Sequence, residues 1–360
     1  MKNILVTGGA GFIGSNFIRY ILETQPETNV TNLDLLTYAG SLENLKDLPD
    51  PERYKFIQGD ICDRKVVDTI LKDNDIDLII HFAAESHVDR SILEPGAFIR
   101  TNIQGTFNLL EAVKKYWTDD AAGMRKDVRF HHVSTDEVYG TLGTDDPPFS
   151  EETQISPNSP YAASKAASDH LVQAYFHTYG LPITISNCSN NYGPNQFPEK
   201  LIPLMILNAL NGKPLPIYGD GGQIRDWLFV EDHCRAIWTV ITDGQAGEVF
   251  NVGGENQPTN LEIVDLICGT LDQLLPDSPN VPHSRLIAHV KDRPGHDRRY
   301  AMNINKIKET LSWQPRISLH EGLKKTIIWY LNNLDWIDEI TQESDYSGWE
   351  KTNYQGRDNQ

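Results

Sequence analysis

Two short runs in the middle of the chain hold residues able to move protons. In Ser134-Thr135-Asp136-Glu137 a hydroxyl and two carboxylates follow directly on the apolar positions Val128, Phe130 and Val133 of a β pattern. Neighbouring carboxylates repel and burial disfavours ionisation, so one of the pair is expected to keep its proton well above the usual range. A neutral acid beside an ionised one is what general acid–base chemistry requires. In Tyr161-x-x-x-Lys165 the spacing sets a phenol and an ammonium on one face of a helix. The cation favours phenolate, so the Tyr161 pKa is expected to fall and the side chain to serve as a base. A solvated helix face also reads Tyr-x-x-x-Lys, and a solvated loop also reads Asp-Glu. The surrounding elements separate these readings.

The chain starts with an apolar run, Asn3 to Thr7, a glycine turn, Gly8-Gly9-Ala10-Gly11-Phe12-Ile13-Gly14, and then a helical pattern through Ile18 and Leu22. Glycines so placed let the backbone approach a pyrophosphate at a helix N-terminus. A tight turn alone would also use glycine. The next strand, Val30 to Leu33, ends in Asp34, 20 residues beyond Gly14. A carboxylate there can accept both ribose hydroxyls and would repel a 2′-phosphate, which favours NAD over NADP. Alternation continues with strands at Phe56-Ile57 and Leu78 to Phe82, a helix at Val66 to Leu71 and a long helix from about Pro95 to Tyr116. The strand that ends at Ser134 comes next, followed by a helix at Tyr161 to Tyr179 and a strand at Ile183 to Ser186. Such alternation predicts an α/β fold, a Rossmann-type doubly wound, mostly parallel sheet with ligands at the carboxyl ends of its strands.

Beyond Cys188 proline and glycine interrupt the pattern, and a smaller discontinuous α/β substrate-binding domain is expected. Its helices fall at Leu201 to Leu210, Leu261 to Leu274 and Ser318 to Leu331, with a strand at Pro216 to Tyr218. The helix at Val230 to Thr242 and the strand at Val249 to Val252 belong to a segment returning to the first domain. The expected division is 1–188 with 226–255 for dinucleotide binding, 189–225 with 256–332 for substrate, and a polar tail over 333–360.

A formal charge of -18 over 360 residues argues against a nucleic-acid or anionic-membrane binder, so an anionic ligand needs a local basic pocket. The Arg293 to Tyr300 run carries three arginines; a structural salt-bridge cluster is the alternative. Four dispersed cysteines indicate neither a disulfide framework nor a zinc site, and no metal is expected. With no leader pattern and no long apolar run, the sequence reads as cytoplasmic.

Over nearly its whole length the chain resembles an extended short-chain dehydrogenase/reductase. Ser134 to Gly140, Ala83 to Ser91, Leu36 to Gly40, Ile224 to Leu228 and the Arg293 to Tyr300 run are together similar to the dTDP-glucose 4,6-dehydratase family, whereas simple 4-epimerases lack the Asp-Glu pair. The resemblance implies a nucleotide-sugar substrate, dTDP-glucose, with UDP- and CDP-linked glucose as alternatives, and a tightly held, recycled NAD. Tyr161 would then be the base at the 4-hydroxyl with Lys165 behind it, Thr135 a partner of the same oxygen, Glu137 the C5 base and Asp136 the acid for the 6-hydroxyl. Cofactor contacts would come from Gly8, Gly11, Phe12, Ile13, Gly14, Asp34, Thr37, Asp60, Ile61, Ala83, Ala84, Ser86, Thr101, Tyr161, Lys165 and Asn191. Substrate contacts would come from Ser86, Thr135, Asn190, Glu199, Lys200, Leu201, Pro216, Tyr218, Arg225, Asn260 and the segment Asp297 to Tyr300. A homodimer joined by the helices around Gly105 to Tyr116 and Tyr161 to Tyr179 is also implied. An epimerase and a catalytically silent NAD-binding regulator are the readings that product analysis would separate from this one.

Overall fold

Ile4, Leu5 and Val6 are wholly buried in β1 (Asn3–Thr7), as residues covered on both faces of a parallel sheet must be. The structure, a computed structural model, describes residues 1–119, 121–292 and 296–343. Arg293 of the expected arginine cluster and the tail from 344 onward lie outside the described residues. After β1 come α1 (Phe12–Thr24), β2 (Asn29–Asp34), β3 (Tyr54–Gln58), α2 (Arg64–Asp73) and β4 (Leu78–His81). Asp63 caps α2 by accepting from Lys65 N–H and Val66 N–H, which fixes where the chain turns from loop into helix.

The long helix expected from Pro95 is present as a composite. A short α3 (Val88–Leu93) leads into α4 (Pro95–Phe98), which continues through a π-helical stretch, Ile99–Gly105, into α5 (Thr106–Trp117). The wider turn sets Asn102 inward, where its amide bonds Glu85 O and the Ser164 hydroxyl. Gly105 closes the packing, since a Cβ there would meet Ile61 Cδ1 at 2.4 Å.

β5 (Arg129–Thr135), α6 (Pro160–Tyr179) and β6 (Ile183–Cys188) complete the central part. Ser159 caps α6 and Pro160 occupies its first position, a pairing that starts a helix sharply. Then follow β7 (Asn190–Tyr192), α7 (Leu201–Leu210), β8 (Leu215–Tyr218), β9 (Trp227–Phe229), α8 (Val230–Asp243) and β10 (Val249–Val252). The sheet has seven strands in the order β10-β6-β5-β4-β1-β2-β3, and every pairing is parallel. Helix α8 lies on α1, with Ile237 and Ile241 in one apolar cluster with Phe17, Ile18 and Ile21.

The remaining elements are α9 (Asn260–Leu274), β11 (Ile287–Val290), α10 (Asn305–Leu311), α11 (Leu319–Asn332) and α12 (Leu334–Glu343). Two small parallel pairs, β8 with β11 and β7 with β9, stand apart from the main sheet. Helices α7, α9 and α11 bury Ile206, Ile267 and Ile327 around Tyr192 and Tyr330. Residues after Asn333 were expected to form a polar tail; over 334–343 the structure corrects this. Trp336, Ile337 and Ile340 of α12 are buried in that same core, and Trp336 Nε1–H donates to Asn44 Oδ1 at 2.9 Å. The three apolar side chains share one helix face, and that burial outweighs the polar composition around them.

Candidate active site

Parallel strands deliver their loops to one edge, and over that edge lies a cavity of about 460 Å³. It is lined by Gly8, Gly11, Phe12, Ile13, Gly14, Asp34, Thr37, Asp60, Ile61, Ala83, Ala84, Ser86 and Thr101 on the side of β1 to β4. Thr135, Asp136, Glu137, Tyr161, Lys165, Asn190, Asn191, Glu199 and Lys200 line the other side. Every residue expected at the cofactor therefore lines this one cavity. Leu201, Pro216, Tyr218, Arg225, Asn260, Asp297 and Tyr300 are not among its lining. Three of them form a second group: Arg225 lies over the Tyr300 ring at 4.3 Å and donates to Asp297 O at 2.9 Å, and Asp297 accepts from the Tyr300 hydroxyl. The charge of Glu137 acts on Tyr300 and that of Arg225 on Asp136, so the second group adjoins the acids.

Helix α1 starts with Gly11 as its cap residue and no side-chain cap, which leaves first-turn N–H groups for an anion. Gly8 adopts φ +74°, and a Cβ on it would meet Ala83 N at 2.6 Å; a Cβ on Gly14 would meet Gly8 O at 2.3 Å. The loop is thus a cradle that side chains would fill. Asp34 is fixed beside it by accepting from Ala10 N–H at 2.9 Å and Leu36 N–H at 2.8 Å, and each carboxylate oxygen keeps a lone pair for a further donor. Cradle, uncapped helix end and carboxylate fit a dinucleotide.

At the end of β5 the backbone turns through a 3₁₀ segment, Asp136–Tyr139, with Thr135 as its cap: Thr135 Oγ1 accepts from Glu137 N–H at 3.3 Å. The same hydroxyl donates to Asp136 Oδ1 at 3.2 Å, while Asp136 Oδ2 is buried with no hydrogen-bond partner. Burial drives the Asp136 carboxyl well above the usual range, and the charges of Glu137 and Asp226 add to it against the opposing pull of Arg225. Burial thus favours the protonated form of Asp136.

Tyr161 differs from expectation. Its phenol is raised rather than lowered, first by burial and then by the charge of Glu137. Lys165 does not offset this, because its ammonium is turned to the strand: it donates to Val133 O at 2.8 Å and lies 3.4 Å from His132 Nε2. Burial also lowers the Lys165 pKa, with Asp169 acting against that shift. Asp169 itself is raised by burial to about 7, accepts from the Ser134 hydroxyl at 2.8 Å and sits 3.2 Å from His132 Nε2. The sequence reading did not single out His132 or Asp169. Tyr161, Lys165 and Asp169 continue one i, i+4 series, which was the signal available.

Other groups hold the walls. The Asn191 amide oxygen pairs with His233 Nδ1 at 2.9 Å, Lys200 donates to Ser86 O at 3.3 Å, and Tyr38 donates to Glu199 at 3.1 Å. Asn190 Oδ1 is buried without a hydrogen-bond partner. Among the described residues no cluster of His, Cys, Asp and Glu is placed to hold a metal ion, and no helix is long and apolar enough to cross a membrane.

Residues 5–326 match the family described as GDP-mannose 4,6 dehydratase. Whole-chain relatives carry a different description. A dTDP-glucose 4,6-dehydratase of Neisseria gonorrhoeae is 58% identical over 335 residues, which is 92% of this chain and 96% of the relative. One of Shigella flexneri is 52% identical over 362 residues, 98% of this chain and 99% of the relative. The chain belongs to the dTDP-glucose 4,6-dehydratase family. Solved dTDP-glucose 4,6-dehydratases superpose on it closely. That of Bacillus anthracis in complex with NAD is 44% identical with a TM-score of 0.83, covering 95% of this chain and 100% of the other. That of Streptomyces venezuelae with NAD and TYD bound is 43% identical with a TM-score of 0.84, covering 94% and 100%. A UDP-glucose 4-epimerase of Thermotoga maritima, 30% identical over 92% of this chain and 99% of that one, reaches 0.80. The fold is thus shared with epimerases, and the dehydratase assignment rests on sequence identity.

Proposed function

We propose that the protein converts dTDP-glucose to dTDP-4-keto-6-deoxyglucose with loss of water. The observation that carries this reading is Asp136: a buried carboxyl pushed well above its usual range, with one oxygen free of hydrogen-bond partners, beside a second carboxylate and a phenol. The glycine cradle, the α1 N-terminus and Asp34 would hold NAD, which would supply the hydride acceptor for C4 and the hydride donor for C6. Tyr161 takes the proton of the 4-hydroxyl, and Thr135 orients that oxygen. A ketone at C4 makes the C5 hydrogen acidic, and Glu137 removes it. Asp136 then gives its proton from Oδ2 to the 6-hydroxyl, which leaves as water, and Glu137 returns a proton to C5. Positioned acid–base groups of this kind contribute about 10²–10⁴-fold each.

Lys165 follows Tyr161 by one turn of α6 and lines the same cavity; with NAD bound, its ammonium would hold the nicotinamide ribose and favour the phenolate. Asn190, Glu199, Lys200 and Leu201 face the sugar, and Arg225 with Asp297 and Tyr300 meets the nucleotide diphosphate, the planar guanidinium suiting phosphate. Pro216, Tyr218 and Asn260 flank the base. Residues 1–188 with 226–255 form the dinucleotide domain and 189–225 with 256–332 the substrate domain. The protein acts in the cytoplasm as a homodimer; the exposed apolar side chains Ile92, Leu93, Ile99 and Phe107 of α3 to α5 support a partner on that face.

Mass spectrometry of the products from dTDP-glucose and UDP-glucose tests the assignment. Loss of one water from the dTDP sugar, with the UDP sugar turned over far more slowly, is the expected result. An epimerase would leave the mass unchanged.

A further inference from the structure

Connections between a strand and a helix usually run over the surface, yet residues 194–200, which join β7 to α7, are largely buried: Asn195 is 6% exposed, Phe197 9% and Glu199 5%. Side chains of the expected dinucleotide domain hold them down. Asn16 of α1 donates from Nδ2 to Pro194 O at 2.9 Å. Asn195 donates to Asn44 Oδ1 at 3.5 Å, and Asn44 in turn donates to Ala10 O of the glycine turn at 2.7 Å. The Phe197 ring meets that of Tyr38 edge-on at 5.9 Å, and Lys200 ends on Ser86 O at 3.3 Å. The segment is thus pinned in turn to α1, to the turn holding Asn44, to the loop after β2 and to the loop after β4.

Three stretches of chain meet at Glu199. Its carboxylate accepts from the Tyr38 hydroxyl at 3.1 Å and lies 3.6 Å from Arg90 Nε and 3.8 Å from His87 Nε2. The Arg90 guanidinium stands 3.7 Å over the Tyr38 ring, which fixes the phenol that donates. Thr37, Ala39 and Gly40 line the cavity over the glycine cradle, and so do Phe197, Glu199 and Lys200. The Tyr38–Glu199 hydrogen bond therefore ties together two walls of one cavity. Neither Tyr38 nor Arg90 is itself among the lining, so their side chains act on a molecule in the cavity through Glu199.

We propose that residues 194–200 are a strap over the dinucleotide, and that Tyr38 and Arg90, by positioning Glu199, keep NAD in the protein between turnovers. The proposal rests on the reading above, in which NAD is restored at every turnover and need not exchange. Release then requires the strap to lift, which breaks a buried hydrogen bond to a carboxylate; such bonds are stronger than neutral ones.

The test is a chase. Protein loaded with radiolabelled NAD is mixed with excess unlabelled NAD, and the label still bound is followed over time. Tyr38→Phe removes the hydroxyl and keeps the ring against Phe197 and Arg90; it is expected to release NAD at least about 10-fold faster. Glu199→Met, which removes the acceptor, should do the same. Because both act through one contact, Y38F/E199M should release NAD no faster than E199M alone. Asn16→Ala, which removes the pin on Pro194 and leaves the Tyr38–Glu199 bond, should also quicken release. As purified, Y38F should hold less NAD and gain activity when NAD is added, unlike the unsubstituted protein. Release from Y38F and N16A at the unsubstituted rate would overturn the strap. Effects of Y38F and E199M that multiply in the double variant would overturn the role of Tyr38 through Glu199. Retention of label by the unsubstituted protein tests the underlying cofactor reading separately.

Discussion

His132 Nε2 stands 3.2 Å from Asp169 Oδ1, beneath the ammonium of Lys165 and sealed from solvent. Of the two, Asp169 supports the charge of the buried lysine, while burial and the Lys165 ammonium hold the His132 imidazole well below its usual range. Asp169→Asn removes the one carboxylate that raises the Lys165 pKa by charge against the cost of burial. Lys165 then loses its proton at lower pH, so the alkaline fall of kcat is expected to move to lower pH. The substitution also alters the hydrogen bond from the Ser134 hydroxyl to the buried Asp169 carboxyl, so some loss of stability is expected. A pH–rate profile and a denaturant titration of D169N check both effects; an unmoved alkaline limb would show that Lys165 is held by Val133 O alone.

Asp136→Asn keeps the shape of a side chain whose protonated form burial favours, so stability should change little. Its effect falls on one step. Oxidation at C4 remains possible while elimination lacks its acid, and kcat should drop by about 10²–10⁴-fold. Reduced nicotinamide absorbance should build up on mixing with dTDP-glucose. A variant that loses the oxidation step to the same degree would assign Asp136 to substrate binding.

Asp226 gives a pH dependence of the fold itself. Its carboxyl is raised from 3.8 to about 7 by burial, although Gly254 N–H, Met302 N–H and the Ser189 hydroxyl all favour the charged form. A folded state that binds this proton more tightly than the unfolded chain loses stability as pH rises from about 4 to about 7. Asp169 acts in the same direction over the same window. Asp226→Asn removes this contribution, so the variant's melting temperature should gain on that of the unsubstituted protein as pH rises from 5 to 7, whatever its stability at pH 5. An unchanged difference between the two would contradict the buried, protonated state of Asp226.

The parts of the site that could be read in the sequence are those fixed by local spacing. The glycine loop, Asp34 at the end of β2 and the phenol–ammonium series of α6 each follow from a turn, a strand end or a helix period. What stayed hidden depends on packing between distant segments. That the Tyr161 phenol is raised follows from burial against Glu137 and from Lys165 turning to Val133 O, neither of which has a local pattern. The partnership of His132 with Asp169 crosses from β5 to α6. Arg225 was legible as a phosphate partner by type, but its stacking on Tyr300 depends on a segment 75 residues away. Helix α12 had the signal, Trp336, Ile337 and Ile340 on one face, and its polar neighbours masked it.

Leu93, 75% exposed, and Phe107, 49% exposed, are large apolar side chains on the composite helix that a lone chain would leave in water. Leu93→Asp with Phe107→Glu is expected to convert a dimer to a monomer in light scattering, with the monomer keeping its far-UV spectrum. A dimer unaffected by both charges would place the interface elsewhere.

The central claim, that one site oxidises, dehydrates and reduces a single sugar while keeping its cofactor, is tested most directly in heavy water. Purified protein is incubated with dTDP-glucose and no added NAD, and the product is analysed by mass spectrometry and NMR. One water lost with one deuterium at C5 is the result predicted, since the proton that Glu137 returns has exchanged with solvent. Substrate recovered with unchanged mass and no deuterium, from protein shown to be folded and loaded with NAD, would contradict the account.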